Sequence, residues 1–247
     1  RALEAAADCA SLAGQDGSRY AAHAERLSKK LDKFFYDEEK GAYIDTYASG
    51  RRNVTRHANI FAILYDFADE SKRDSIVRNV LDNDGVPAIT TPYFKFFELW
   101  ANCKLGRVEQ MLDQVRDYWG GMLALGATTI WEEYAPRQTF PAHFAMYGDL
   151  FGKSLCHAWG AGPIDLIGRY VAGFRAEAPG CRAFALEPRP SGLSALDTVI
   201  PLPDGGQVQL CWDERELRVL TDRPGGALIW QGRRIPLEPG QELRVSR

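Results

Sequence analysis

The texture of this chain changes once, near residue 175, and that single change limits the folds open to it. Up to Gly173, apolar residues recur at three- and four-residue intervals, the spacing of helices with one buried face. Beyond it, Pro179, Gly180, Pro188, Pro190 and Gly192 mark a boundary, and short alternating runs take over between turn signals such as Pro224-Gly225-Gly226. Helices first and strands last argue against a parallel sheet built by alternation. They predict a helical domain over 1–175 followed by a small antiparallel β-sandwich over 176–247.

The helical part can be read in pieces. Ala2 to Ala13 is rich in Ala and Leu and stops at Gly14. Ser18 is placed to cap a second helix carrying Tyr20, Leu27, Leu31, Phe34 and Phe35. A third begins near Thr55 with Ala58, Phe61, Ala62 and Tyr65 on one face, and a short polar one covers Ser71 to Leu81. Pro92 opens a helix that Gly106 closes. The cleanest pattern runs from Arg107 to Leu123, with Val108, Met111, Leu112, Val115, Trp119 and Met122 in step. The last helix is expected over Leu155 to Val171, its start bent or delayed by Gly160, Gly162 and Pro163.

Seven or eight helices without a sharp repeat suggest stacked αα-hairpins closing into a toroid rather than a regular solenoid. Six hairpins need twelve helices, or about 220–300 residues at ordinary helix and loop lengths. The helical part here falls short of that. The chain also opens on Arg1-Ala2-Leu3, as a processed or truncated product would. A toroid cut partway round should expose apolar helix flanks, so the expected partners are an amino-terminal remainder of the toroid or a second copy across that edge.

Composition narrows the function. The 247 residues are 45% apolar and 26% charged with a net charge of −3, the make-up of a soluble globular protein without a basic nucleic-acid footprint. No apolar run approaches the roughly 20 residues a membrane helix needs. Five widely spaced cysteines contain no Cys-x-x-Cys pair and read as buried free thiols. No metal triad, phosphate-cradling glycine loop or nucleophile elbow is present, and no cofactor is expected. The compartment stays open between cytoplasm and periplasm.

Two stretches carry chemistry. Gly126-Ala127-Thr128-Thr129-Ile130-Trp131-Glu132-Glu133 sets an indole beside two carboxylates, the pair a sugar site needs for apolar C–H faces and hydroxyl edges. On spacing alone, a buried Trp131 with two solvated acids beside it is the favoured reading over a glycan site. Lys153-Ser154-Leu155-Cys156-His157-Ala158-Trp159 runs from loop toward helix. There His157 can donate to a substrate hydroxyl or simply bond a loop carbonyl. His57 and Tyr93 sit at predicted helix starts, where a hairpin toroid collects its active-face loops.

Taken together, the Gly-Ala-Thr-Thr-Ile-Trp-Glu string, Ser154 with Cys156-His157, and the run to Tyr170-Val171-Ala172-Gly173 resemble the carboxy-terminal half of bacterial α-L-rhamnosidases. Those enzymes are inverting glycoside hydrolases on a six-hairpin α/α toroid followed by a β-sandwich. The resemblance implies that Glu132 is the general base that activates water, with terminal α-L-rhamnosides as substrate. It places a sugar-binding His at His157, and Trp131, Tyr93 and His57 are the further candidates for substrate contacts. It also implies a general acid in an Asp- and Arg-rich motif that this chain lacks: Asp213-Glu214-Arg215-Glu216 has the composition but reads as a turn between strands. The chain alone is therefore expected to be inactive. The alternatives are another toroid enzyme, glucoamylase-like, or a non-catalytic glycan-binding or scaffold chain.

Overall fold

The computed structural model describes residues 1–203 and 205–247. They fall into two compact units, Arg1–Lys104 and Leu105–Arg247.

The first unit is helical. Helices α1 (Ala2–Leu12) and α2 (Ser18–Phe35) pack as a hairpin. Ser18 does not cap α2. It is the first helical residue, and Asp16 takes the role instead, accepting the Ser18 N–H at 2.9 Å. A two-residue ribbon of β1 (Tyr36–Asp37) and β2 (Ala42–Tyr43) follows, paired antiparallel. Next come α3 (Arg56–Leu64), α4 (Glu70–Ile76) running into a π-helical turn over Val77–Leu81, and α5 (Pro92–Lys104).

The core of this unit is formed by Ile44, Ile60, Ile63, Ile76, Val80 and Leu99. Of the expected face Ala58, Phe61, Ala62 and Tyr65 only Ala62 is buried, and the buried face of α3 is centred instead on Asn59, Ile60 and Ile63. The reason lies in polar pairing. Asn59 reads both backbone groups of Tyr43, accepting its N–H at 2.8 Å and donating to its carbonyl at 2.9 Å. Arg56 is drawn inward by Glu98 at 2.8 Å and the Leu81 carbonyl at 2.9 Å. Phe61 and Tyr65 instead line an apolar cavity of about 270 Å³ with Leu31, Phe35 and Phe67. Neither α1 nor α2 buries a residue fully, and Leu12, Leu27, Leu31 and Phe34 remain exposed.

The second unit begins with α6 (Val108–Ala124). A long irregular stretch leads to α7 (Pro163–Leu166), which continues as a π-helical turn over Ile167–Val171. This corrects the expected Leu155–Val171 helix. Residues 155–157 are not helical, His157 being extended, only a 3-10 turn forms at Ala158–Gly160, and Ile164 is exposed rather than apolar-facing. The glycines and Pro163 delay the helix by eight residues.

The strands start at β3 (Phe174–Ala176), followed by β4 (Phe184–Leu186), β5 (Leu196–Pro201), β6 (Gln207–Trp212), β7 (Glu216–Thr221), β8 (Gly226–Trp230), β9 (Arg233–Pro236) and β10 (Leu243–Ser246). They form two four-stranded sheets, β10-β7-β6-β5 and β3-β4-β8-β9. All pairs are antiparallel except β4 with β8. Alternation supplies the inner rows: Val208, Leu210 and Trp212 on β6, and Leu217 and Val219 on β7, are buried. The Trp230 indole N–H donates to the Ser246 carbonyl at 3.1 Å, tying the two sheets together. Asp213 closes the β6–β7 turn, accepting the Arg215 and Glu216 N–H groups at 2.8 and 3.1 Å. Of the five free cysteines only Cys103 is buried, and Cys9 and Cys156 lie open to solvent.

Candidate active site

The string that carries Glu132 is set by how α6 ends. Gly126 takes a left-handed φ of 89°. Its N–H bonds the Leu123 carbonyl at 2.9 Å, and the Ala127 N–H bonds that of Met122 at 3.0 Å. This pair of bonds is a Schellman close, and it turns the chain sharply out of the helix. Thr128, Thr129 and Ile130 are β-branched and hold the extended backbone that follows.

A partner segment fixes that extension. The Glu132 N–H donates to the Ser154 carbonyl at 2.9 Å and the His157 N–H to the Ile130 carbonyl at 2.8 Å. The Thr129 hydroxyl donates to the Leu155 carbonyl. Residues 129–132 and 154–157 thus form a short antiparallel pairing that brings Glu132 and His157 onto adjacent strands of backbone.

The Glu132 side chain is 7% exposed, and both its oxygens are engaged. The Ser154 N–H donates to Oε2 at 3.1 Å and the Tyr147 hydroxyl to Oε1 at 2.9 Å. Donating to the Glu132 carboxylate holds the proton on Tyr147 and raises its pKa above the ordinary phenol range. Each carboxylate oxygen keeps a further lone pair, so the group can still accept a proton.

Trp131 lies under the loop. It is 3% exposed within a cluster of Tyr118, Met122 and Tyr134, and its ring stacks on His143 at 5.9 Å. Between its two readings from sequence, the structure gives the buried one. Burial also pushes the Tyr118 phenol well up. Glu133 meets the fully buried ammonium of Lys153 at 3.4 Å, and that ammonium also donates to the His143 carbonyl at 2.6 Å. His157 is partly buried, its ring centroid 4.1 Å from that of Trp159.

His57 and Tyr93 belong to the first unit, where one aromatic patch joins them. The His57 ring lies 4.4 Å from Phe94, which lies 5.2 Å from Tyr93. Both are open to solvent. Among the described residues no group of three or more His, Cys, Asp or Glu is arranged to hold a metal ion, and no helix is long and apolar enough to cross a membrane.

Sequence reasoning did not reach Tyr147 or the buried Arg56–Glu98–Lys95 group, in which Lys95 donates to Glu98 at 2.6 Å. A charged residue at a core position of two predicted helices was the available signal for the second.

With this geometry in view, the model of the bacterial α-L-rhamnosidase six-hairpin glycosidase domain matches residues 1–171. The chain belongs to that family. A GH78 family rhamnosidase of Bacillus sp. GL1 is 28% identical, with a TM-score of 0.77 over 92% of this chain and 25% of that one. The native α-L-rhamnosidase from Aspergillus terreus is 17% identical, with a TM-score of 0.72 over 98% and 29%. The Streptomyces avermitilis α-L-rhamnosidase, solved with L-rhamnose, is 16% identical at 0.70 over 92% and 22%. The chain therefore spans about a quarter of the length of these rhamnosidases. A comparison with curated proteins gave no match. The expected fold class, hairpin helices of a six-hairpin glycosidase followed by a small β-sandwich, is that of the rhamnosidase family.

Proposed function

We propose that this chain carries the water-activating half of an inverting glycoside hydrolase acting on terminal α-L-rhamnosides, with Glu132 as general base. The observation that carries the reading is the Glu132 carboxylate itself. It is buried, fixed at both oxygens, and set in the Gly126–Glu132 string of a chain whose family is that of the six-hairpin rhamnosidases. An inverting hydrolase needs one such carboxylate to deprotonate water. It needs a second carboxyl group, about 6.5–9.5 Å away across the sugar, to protonate the leaving oxygen.

In this reading His157 contacts the sugar from the segment paired with the base, and Tyr93 and His57 are proposed as further substrate contacts. Trp131 supports the loop from beneath. No residue of this chain is assigned as the acid, which belongs to the remainder of a longer enzyme. The division of labour is 1–175 for the hairpin domain and 176–247 for a bracing sandwich. The exposed flank of α1 and α2 supports the same picture of an amino-terminal remainder packed beside it.

The test is an aryl α-L-rhamnoside assay on the protein as its gene encodes it, beside Glu132→Gln and the isolated 1–247 chain. Loss of a general base lowers kcat by about 10²–10⁴-fold. The expected result is that loss in Glu132→Gln, no turnover by 1–247 alone, and a first-formed sugar of inverted anomeric configuration. Undiminished turnover by Glu132→Gln, or retained configuration, would overturn the reading.

A further inference from the structure

We propose that Tyr147 is a positioning residue that holds the Glu132 carboxylate in one orientation. The inference rests on Glu132 acting as the base.

Tyr147 occupies a costly place in the backbone. The N–H of Met146 bonds the Asp149 carbonyl at 2.9 Å, and that of Asp149 bonds the Met146 carbonyl at 3.0 Å. Between them Tyr147 has φ 55° and Gly148 has φ 84°. Two successive left-handed residues in a two-residue hairpin define the mirror-image turn that Asn-Gly suits and a bulky side chain does not. Burial does not offset that cost, because Tyr147 is 81% exposed. What the residue supplies is its hydroxyl, which reaches back fifteen positions to Glu132 Oε1 at 2.9 Å.

The other contacts show why one hydroxyl matters. A glutamate carboxylate turns about three side-chain torsions. The Ser154 N–H pins Oε2 and leaves the group free to pivot about that bond. A second donor on Oε1 removes the pivot and fixes the plane in which the remaining lone pairs point. The loop beneath does not need the tyrosine. Its base is held by the Lys153 N–H on the Phe144 carbonyl at 3.1 Å and by the Lys153 ammonium on His143. The raised pKa of the phenol agrees with a proton shared toward Glu132.

The experiment compares Tyr147→Phe with the wild type and Glu132→Gln in the protein as encoded. Misplacing a catalytic group by about 1 Å costs up to ~10²-fold. Tyr147→Phe keeps the ring, so the expected result is kcat lower by about 10–100-fold, KM within about twofold, and an unchanged Tm. In parallel, ¹³C-tyrosine NMR should show the Tyr147 phenol titrating above the ordinary range in the wild type and returning to it in Glu132→Gln.

A raised KM at unchanged kcat would make Tyr147 a substrate contact, and a lowered Tm at unchanged kcat would make it a structural residue. Either result overturns the proposal, as does an ordinary Tyr147 titration in the wild type. In all of these the loss of turnover in Glu132→Gln would persist, so the assignment of the base would stand. If Glu132→Gln matches the wild type, the base assignment fails and this inference falls with it.

Discussion

Two adjacent glycines in α6 should respond to the same substitution with opposite signs. Both Gly120 and Gly121 lie inside the helix, where Ala is preferred over Gly by about 1 kcal/mol. A methyl group at Gly120 meets nothing within 4 Å, so Gly120→Ala should stabilise by up to about 1 kcal/mol. At Gly121 the same methyl would stand 2.1 Å from the Tyr134 hydroxyl oxygen and 2.4 Å from the ring carbon bearing it. To restore an ordinary contact the ring must retreat by about 1.3 Å. Overpacking of this kind costs about 1–3 kcal/mol. Retreat also loosens the edge-on contact of Tyr134 with Tyr118, now 5.3 Å between centroids, worth about 0.5–1.5 kcal/mol. Set against the helix gain, Gly121→Ala should destabilise by about 1–3 kcal/mol, leaving the two variants roughly 2–4 kcal/mol apart. Urea unfolding followed by tryptophan fluorescence reads this directly, since Trp119 and Trp131 pack at the same cluster. In a Tyr134→Ala background the penalty should vanish and Gly121→Ala should behave like Gly120→Ala. Equal effects of the two alanines in the native background would refute the packing argument. Tyr134 lies two residues beyond Glu132, so the same displacement would reach the candidate site.

The remaining predictions concern the first unit and the site. Glu98→Gln leaves Arg56 and Lys95 facing a neutral, buried amide and should cost about 3–5 kcal/mol in denaturant unfolding, whereas replacing Arg56 and Glu98 together by Met and Leu should recover much of that loss. The Asp37 carboxyl is held below the ordinary aspartate value by the Arg52 guanidinium, 2.8 Å away, and by the Lys40 N–H. A depressed folded value means that this stabilisation is complete above about pH 4 and drains away as pH falls through the folded value. Asp37→Asn should therefore flatten the acid arm of the stability–pH profile and lower stability near neutrality. Glu132→Gln and Tyr147→Phe, with the kinetic outcomes given above, test the site.

Much of the fold can be read from local pattern, because local forces set it. Gly14, Pro92 and Gly106 punctuate the helices where the structure ends or starts them, and β6 and β7 follow their alternation to within a residue. Long-range pairing is what the pattern misreads. Leu155 and Trp159 look like one face of a helix, yet the His157 backbone is already committed to Ile130 across 27 residues of chain. The strands β3, β4 and β9 are three or four residues long, too short to show a period, and the parallel register of β4 with β8 leaves no local trace. The α3 face is misjudged because Asn59 and Arg56 are polar letters at positions the backbone of β2 and the carboxylate of Glu98 pull inside.

The candidate site divides along the same line. Glu132 is singled out through the resemblance of its string to the family's, while the local pattern accounts for the backbone that carries it: a helix-ending glycine and a β-branched extension lead to the carboxylate within seven residues. Tyr147 is not singled out, since its partner lies fifteen positions back and nothing about a tyrosine names a glutamate. A local signal does exist, and it has the form of a misfit. Met-Tyr-Gly-Asp has the Gly and Asp of a tight turn but sets an aromatic where that turn wants Asn or Gly. Sequences agree with their folds at most positions, so a residue that costs backbone energy and gains no burial must be held there by some other contact. Here the gain that offsets the strain is a hydrogen bond to the carboxylate proposed as the base, which is why the misfit and the function point to the same atom.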